Sequence, residues 1–182
     1  GDGAGQHPTQ ALLDLYTIEK EFCSIDGVHV AIVGDLRYYR SARSLSYLLG
    51  KFDTVRITGV SLPELRMSDE LKQYLQEHGV QYDETESLSD AMKEADVIYQ
   101  TRIQKERLSE VPFKQAQGHY VIDKPLADSM KEKAIIIHPL PRVGEITEEV
   151  DASPHAVYFR QVGYGVAVRM ALLSMLLGGA QR

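Results

Sequence analysis

Two arginines, a glutamine and a glutamate fall within the seven residues Thr101-Arg102-Ile103-Gln104-Lys105-Glu106-Arg107. A planar guanidinium grips a carboxylate through two parallel hydrogen bonds. An amide adds a neutral donor, and a nearby glutamate holds one arginine in place. Such a set suits a receptor for a small anion; taken alone, it reads equally well as a charged loop rising off a sheet. Three further clusters offer related chemistry. His7-Pro8-Thr9-Gln10 sets a histidine and an amide three residues apart at a proline-marked helix start, where backbone N–H groups favour an anion. Arg37-Tyr38-Tyr39-Arg40-Ser41 opens another helix, and Arg40 there opposes a dipole that favours negative charge. In His138-Pro139-Leu140-Pro141-Arg142 the prolines remove backbone donors and leave the carbonyls of Leu140 and Pro141 available to a ligand.

Plainer readings stand beside these. A histidine before proline is commonly a turn residue, Arg37 reads as a solvated or domain-facing charge, and Pro139 and Pro141 can simply end a strand. His138 has no carboxylate or cysteine partner at metal-ligand spacing, so no metal site is expected. Cys23 sits beside no evident base, which leaves a thiol nucleophile unsupported.

The elements that must position these clusters alternate. Strands are predicted over Val28–Val33, Thr54–Val60, Val80–Tyr82, Ala95–Tyr99, His119–Ile122 and Ala134–Ile137. Helices are predicted from His7-Pro8 to about Phe22, then over Ser41–Leu49, Ser68–His78, Leu88–Lys93, Ala127–Met130 and about Gly165–Leu177. The stripes Leu12/Tyr16 and Met170/Leu173/Leu177 read as core faces. Strand–helix alternation implies an α/β fold, a parallel sheet with helices on both faces. Such sheets place ligands beyond the carboxyl ends of their strands, where three of the four clusters fall. The turn Gly34-Asp35-Leu36 lacks the later glycines of a dinucleotide fingerprint, so no bound NAD is expected.

Composition narrows the class. The 182 residues suffice for one substantial core, and the net charge of −6 argues against a nucleic-acid surface. A single cysteine excludes an internal disulfide and fits a reducing compartment. The most apolar stretch, Val166 to Leu177, is interrupted by Arg169 and too short to span a bilayer. Because the chain begins with Gly1, it is expected to be a processed or partial product.

Together the clusters resemble aspartate carbamoyltransferase, and the chain looks like its C-terminal, aspartate-binding half. The resemblance rests on Gly1-Asp2-Gly3 with Gln6-His7-Pro8-Thr9-Gln10-Ala11-Leu12-Leu13-Asp14, on Val33-Gly34-Asp35-Leu36, on Thr101–Arg107, and on His138-Pro139-Leu140-Pro141-Arg142-Val143 with Glu145-Ile146. These segments cover nearly the whole chain in the family's order. The resemblance implies a Rossmann-like aspartate-binding domain without cofactor or metal. It also implies that His7 and Gln10 contact the carbamoyl group of carbamoyl phosphate. Arg40 would bind the α-carboxylate of aspartate, and Arg102, supported by Glu106 and helped by Gln104, its side-chain carboxylate. The carbonyls of Leu140 and Pro141 would orient the reacting groups.

The same resemblance divides the chain into an opening segment and interdomain helix (1–22), an α/β domain (23–164) and a final helix (165–182). It implies a missing N-terminal carbamoyl-phosphate domain, a homotrimer in the complete enzyme, and a cytoplasmic or, after transit-peptide removal, plastid location. No nucleic-acid or membrane partner is implied. With that domain absent, apolar surface is expected on the first and last helices. Two departures stand out: Tyr39 occupies the place of a glycine, which puts the loop carrying Arg40 in question, and Tyr164 that of an asparagine. Ornithine carbamoyltransferase shares the fold, but Pro139 stands where its cysteine would, and Arg102 suits a carboxylate. A truncated, non-catalytic binding or assembly module is a third reading.

Overall fold

In strands buried on both faces every residue is apolar, and this chain has such runs at Val30-Ala31-Ile32-Val33 and Ile135-Ile136-Ile137. In a computed structural model, which describes residues 5–103, 118 and 120–178, they form the centre and one edge of a five-stranded parallel sheet. The strands are β1 (His29–Val33), β2 (Arg56–Val60), β3 (Gln81–Thr85), β4 (Val97–Gln100) and β5 (Ile135–Ile137), in the order β3-β2-β1-β4-β5. The order reverses between β1 and β4, so the crossovers leave on opposite sides there and open a crevice at the strands' carboxyl ends.

Alternation along the strands sorts the core into two layers. Val30, Ile32, Ile57, Tyr99 and Ile137 face α1 (Pro8–Phe22), α2 (Arg40–Leu49) and α3 (Asp69–Glu77) through Leu15, Ile18, Leu45, Leu49, Leu71 and Leu75. Ala31, Val33, Ile98 and Ile136 face the other way, toward Met92 of α4 (Leu88–Glu94), Ala127 of α5 (Lys124–Asp128) and Ile146 of the segment after β5. The last helix, α6 (Tyr158–Leu176), packs along α1.

Several predicted boundaries move, each for a local reason. The strand expected to end at Tyr82 continues to Thr85, because an edge strand tolerates charge on both sides while pairing with β2. The strand expected over His119–Ile122 reduces, among the described residues, to a bridge between Ile122 and Ile146; His119 lies outside them. The helix expected at Ala127 begins at Lys124, where the Asp123 carboxylate accepts from the Leu126 amide at 3.0 Å and caps it. The last helix begins at Tyr158, seven residues before Gly165, because Tyr158 and Gln161 are buried and anchor its first turn.

Two expectations about surface are corrected. Helix α1 exposes no large apolar side chain, since it is sandwiched between α2 and α6; Leu12 and Tyr16 are half-buried. Met170, Leu173 and Leu177 do not face the core: they are 65%, 57% and 82% exposed. With Phe159, Val162 and Val166 they form one apolar stripe along the outer side of α6.

Candidate active site

The carboxyl ends of β1 and β4 are fastened by Thr101. Its amide and hydroxyl both donate to the Val33 carbonyl, at 2.9 and 2.7 Å, and its hydroxyl oxygen accepts from the Asp35 amide at 2.9 Å. Gly34 makes this approach possible. It sits at φ +107°, and a Cβ there would lie 2.6 Å from the Thr101 hydroxyl oxygen. Arg102 therefore leaves the sheet from a fixed point, half-buried, at the switch between β1 and β4.

Arg40 reaches the same point from β1. It is the first residue of α2, preceded by Tyr39 in an extended conformation (φ −81°, ψ 100°). The Tyr39 ring resolves the question that its bulk raised: it turns inward and joins the α1–α2 core, 8% exposed, so no glycine is needed there. Burial pushes its hydroxyl up to about 12, so the phenol stays protonated beside the Arg102 guanidinium.

The third wall follows β5. Leu140 has φ +50°, a left-handed conformation that costs a non-glycine residue roughly 1–2 kcal/mol, and the Leu140–Pro141 peptide is cis. Buried His138 holds this turn. Its Nδ1 accepts from the Leu140 amide at 2.8 Å, so its proton resides on Nε2 and is donated to Glu145 Oε1 at 2.8 Å. Glu145 Oε2 accepts in turn from the Val143 amide at 2.8 Å. Burial alone would raise the Glu145 carboxyl, but bonds from His138 and from the Val143 amide overcome it and hold it below its ordinary value. From sequence His138 had no partner at metal-ligand spacing; the carboxylate it meets is Glu145, seven residues on, as a hydrogen-bond acceptor.

The fourth wall is the start of α1. The His7 amide donates to Ser44 Oγ at 2.8 Å, tying this turn to α2. Burial, and then the charges of Arg40 and Arg169, lower the His7 pKa, so its ring is neutral near pH 7. Gln10 is buried, and its Nε2 donates to Asp14 Oδ1 at 2.8 Å.

These walls enclose one open cleft of about 170 Å³, lined by His7, Gln10, Arg40 and Arg102 together with Leu140 and Pro141. Six of the eight residues singled out from sequence thus meet at one place. The other two, Gln104 and Glu106, lie outside the described residues. Arg37 is exposed, away from the cleft lining. Tyr39, Ser41 and Pro139 complete the lining without having been singled out as contacts. Asp14, Gln161 and Glu145 were given no role from sequence, although the i, i+4 spacing of Gln10 and Asp14 was a visible signal.

Residues 26–176 match the family described as aspartate/ornithine carbamoyltransferase, Asp/Orn-binding domain. The chain belongs to this family. It is 52% identical over 181 residues to the chloroplastic aspartate carbamoyltransferase of Arabidopsis thaliana, covering 98% of this chain and 46% of that protein. It is 50% identical to the aspartate carbamoyltransferase catalytic subunit of Methanothermobacter thermautotrophicus, covering 97% of this chain and 56% of the relative. Among solved structures, the catalytic subunit of M. jannaschii aspartate transcarbamoylase superposes with a TM-score of 0.91 at 45% identity, over 100% of this chain and 59% of that one. The Trypanosoma cruzi enzyme in complex with carbamoyl aspartate and phosphate gives 0.89 at 41% identity, over 95% and 56%. The chain spans about half the length of the relatives it matches.

Proposed function

We propose that the chain is the aspartate-binding part of an aspartate carbamoyltransferase. This activity moves the carbamoyl group of carbamoyl phosphate onto the amino nitrogen of L-aspartate, giving N-carbamoyl-L-aspartate and phosphate for pyrimidine biosynthesis. The observation that carries the reading is the convergence of two arginines, a neutral histidine and an oriented amide on one cleft at the sheet's switch point.

Arg40 and Arg102 meet the two carboxylates of aspartate, and their planar forks fix its orientation. The amine attacks the carbamoyl carbon, a C–N bond forms, and negative charge gathers on the carbonyl oxygen. Neutral His7 donates a hydrogen bond to that oxygen, while Gln10 holds the carbamoyl group. The C–O bond to phosphate then breaks, and the amine proton leaves with the phosphate. Backbone carbonyls at Leu140 and Pro141 orient the amino group, and Gln104 and Glu106 support Arg102. Holding two small anions in attack geometry supplies an entropic advantage of up to roughly 7–11 kcal/mol.

Ornithine fits less well, since Arg102 offers a guanidinium where ornithine carries an ammonium, and the relatives named above are aspartate enzymes. The phosphate-binding half belongs to sequence beyond this chain, seated against the apolar stripe of α6. In this reading residues 1–22 and 165–182 meet that half, residues 23–164 form the aspartate domain, and the complete enzyme is a homotrimer. Its compartment is the cytoplasm or a plastid, the latter on the pattern of the Arabidopsis relative.

Mixing the chain with a separately produced N-terminal half should restore carbamoyl-aspartate formation, and Arg102→Ala should abolish it. Turnover by the chain alone at the reconstituted rate, or reconstituted turnover indifferent to Arg102, would overturn the proposal.

A further inference from the structure

Asp14 is fully buried, yet nothing in the proposed chemistry uses it directly. Its Oδ1 accepts two hydrogen bonds from two different helices. One comes from Gln10 Nε2 on its own helix at 2.8 Å, and the other from Gln161 Nε2 on α6 at 2.6 Å. Gln161 continues the chain: its Oε1 accepts from the His138 amide at 3.0 Å, and His138 Nδ1 receives the Leu140 amide. A single carboxylate oxygen thus links the amide that lines one wall to the turn that forms another. Without it, Gln10 could present either end of its carboxamide to the cleft. With its Nε2 committed to Asp14, its Oε1 is the end left to accept from a ligand N–H.

We propose that Asp14 is a positioning residue that sets the Gln10 carboxamide and the His138–Pro141 turn in register through one shared oxygen. The inference rests on the reading of Gln10 as a substrate contact, and extends it to a residue that touches no substrate. The groups facing Asp14 come from four elements. They are Gln10 on α1, Tyr39 just before α2, Tyr99 on β4, and Gln161 and Arg169 on α6, with Ser41 facing Tyr99. Asp14 Oδ2 and the Tyr99 hydroxyl lie together in this pocket without completing a hydrogen bond of good geometry. An asparagine at position 14 can therefore keep the acceptor for both glutamines and turn its Nδ2 toward the Tyr99 oxygen.

The test uses the 182-residue chain, with nitrogen-resolved NMR of the Gln10 and Gln161 side-chain amides and calorimetry with N-carbamoyl-L-aspartate. Hydrogen-bonded Nε2 protons should exchange slowly with solvent in the parent and in Asp14→Asn. In Asp14→Leu both protections should vanish together, and the Leu140 amide resonance should shift. Affinity for carbamoyl aspartate should fall roughly tenfold in Asp14→Leu, the scale of one misplaced hydrogen bond, and recover in Asp14→Asn. If Asp14→Leu does not fold, the parent decides alone: both glutamine amides should titrate together with the Asp14 carboxyl. Glutamine amides that ignore Asp14, in the variant or in the titration, overturn the proposal. Intact signatures without carbamoyl-aspartate binding in any variant support Asp14's role and count instead against the substrate reading.

Discussion

His138 Nε2 donates to Glu145 Oε1 at 2.8 Å while its Nδ1 receives the Leu140 amide at 2.8 Å, so one ring fixes both the tautomer and the turn. Removing the acceptor leaves a buried N–H unpaired. Glu145→Ala should therefore cost about 1–3 kcal/mol in denaturant unfolding, and should shift the Leu140 amide resonance. The pH sign follows from the depressed Glu145 carboxyl. Its contribution is fully present above the ordinary carboxylate value of 4.5 and is lost as pH falls through its lower folded value. The parent should thus lose stability relative to Glu145→Ala in the acid range below about pH 4.5.

Arg102 offers a bidentate grip that a lysine cannot reproduce. Arg102→Lys keeps the charge and loses the fork, so carbamoyl aspartate should bind more weakly to it in calorimetry than to the parent. Arg102→Ala should lose about 1.5–3 kcal/mol, the usual scale of a charged hydrogen bond. Equal affinity in the parent and the lysine variant would assign the ligand's carboxylate to another residue.

Tyr39 separates two roles, since its ring packs in the core while its hydroxyl lies beside Arg102. Tyr39→Phe should leave the unfolding midpoint nearly unchanged and weaken carboxylate binding. Tyr39→Gly should cost about 3–5 kcal/mol, because it empties a buried aromatic site and frees the backbone before α2. A stable glycine variant would mean that the ring is dispensable.

The sheet and most of the cleft were legible because their signals are local. β-branched runs marked β1 and β5, and arginines or prolines directly after strand ends marked the walls. Gly34 was visible as a breaker, but the reason for it, the Thr101 side chain 67 residues on and just past β4, was not. The start of α6 was missed because its first turn is anchored by single contacts, Tyr158 to Asp151 and Gln161 to the sequence-distant Asp14, rather than by any periodic stripe. The regular stripe at Met170, Leu173 and Leu177 misled for the opposite reason: periodicity shows that a face is apolar and says nothing about what covers it. Tyr39 looked disruptive because sequence does not show the direction in which a ring turns.

Asp14 makes a pH prediction of opposite sign to that of Glu145. Burial, opposed by the bonds from Gln10 and Gln161 and by the nearby Tyr99 hydroxyl, pushes its carboxyl from 3.8 up to about 7. The folded state then keeps a proton that the unfolded chain has released, so stability falls as pH rises through this window, with a slope near 1.4 kcal/mol per pH unit. Asp14→Asn removes the titration and keeps the acceptor, so parent and variant curves should diverge between about pH 4 and 7 and run parallel above. Parallel curves throughout would mean that Asp14 folds ionised.

The stripe on α6 sets the last prediction. Val166, Met170 and Leu173 are 65%, 65% and 57% exposed on a helix whose opposite side, at Gln161 and Gly165, is packed on the chain. A contiguous apolar surface of this kind drives association when its partner is absent. Met170→Glu with Leu173→Glu should leave the unfolding midpoint within about 0.5 kcal/mol per site, because neither side chain contributes to the core. The same pair should suppress concentration-dependent light scattering of the chain and block reconstitution with the N-terminal half. If the charged variant reconstitutes as well as the parent, the proposed phosphate-binding half docks elsewhere than on this stripe.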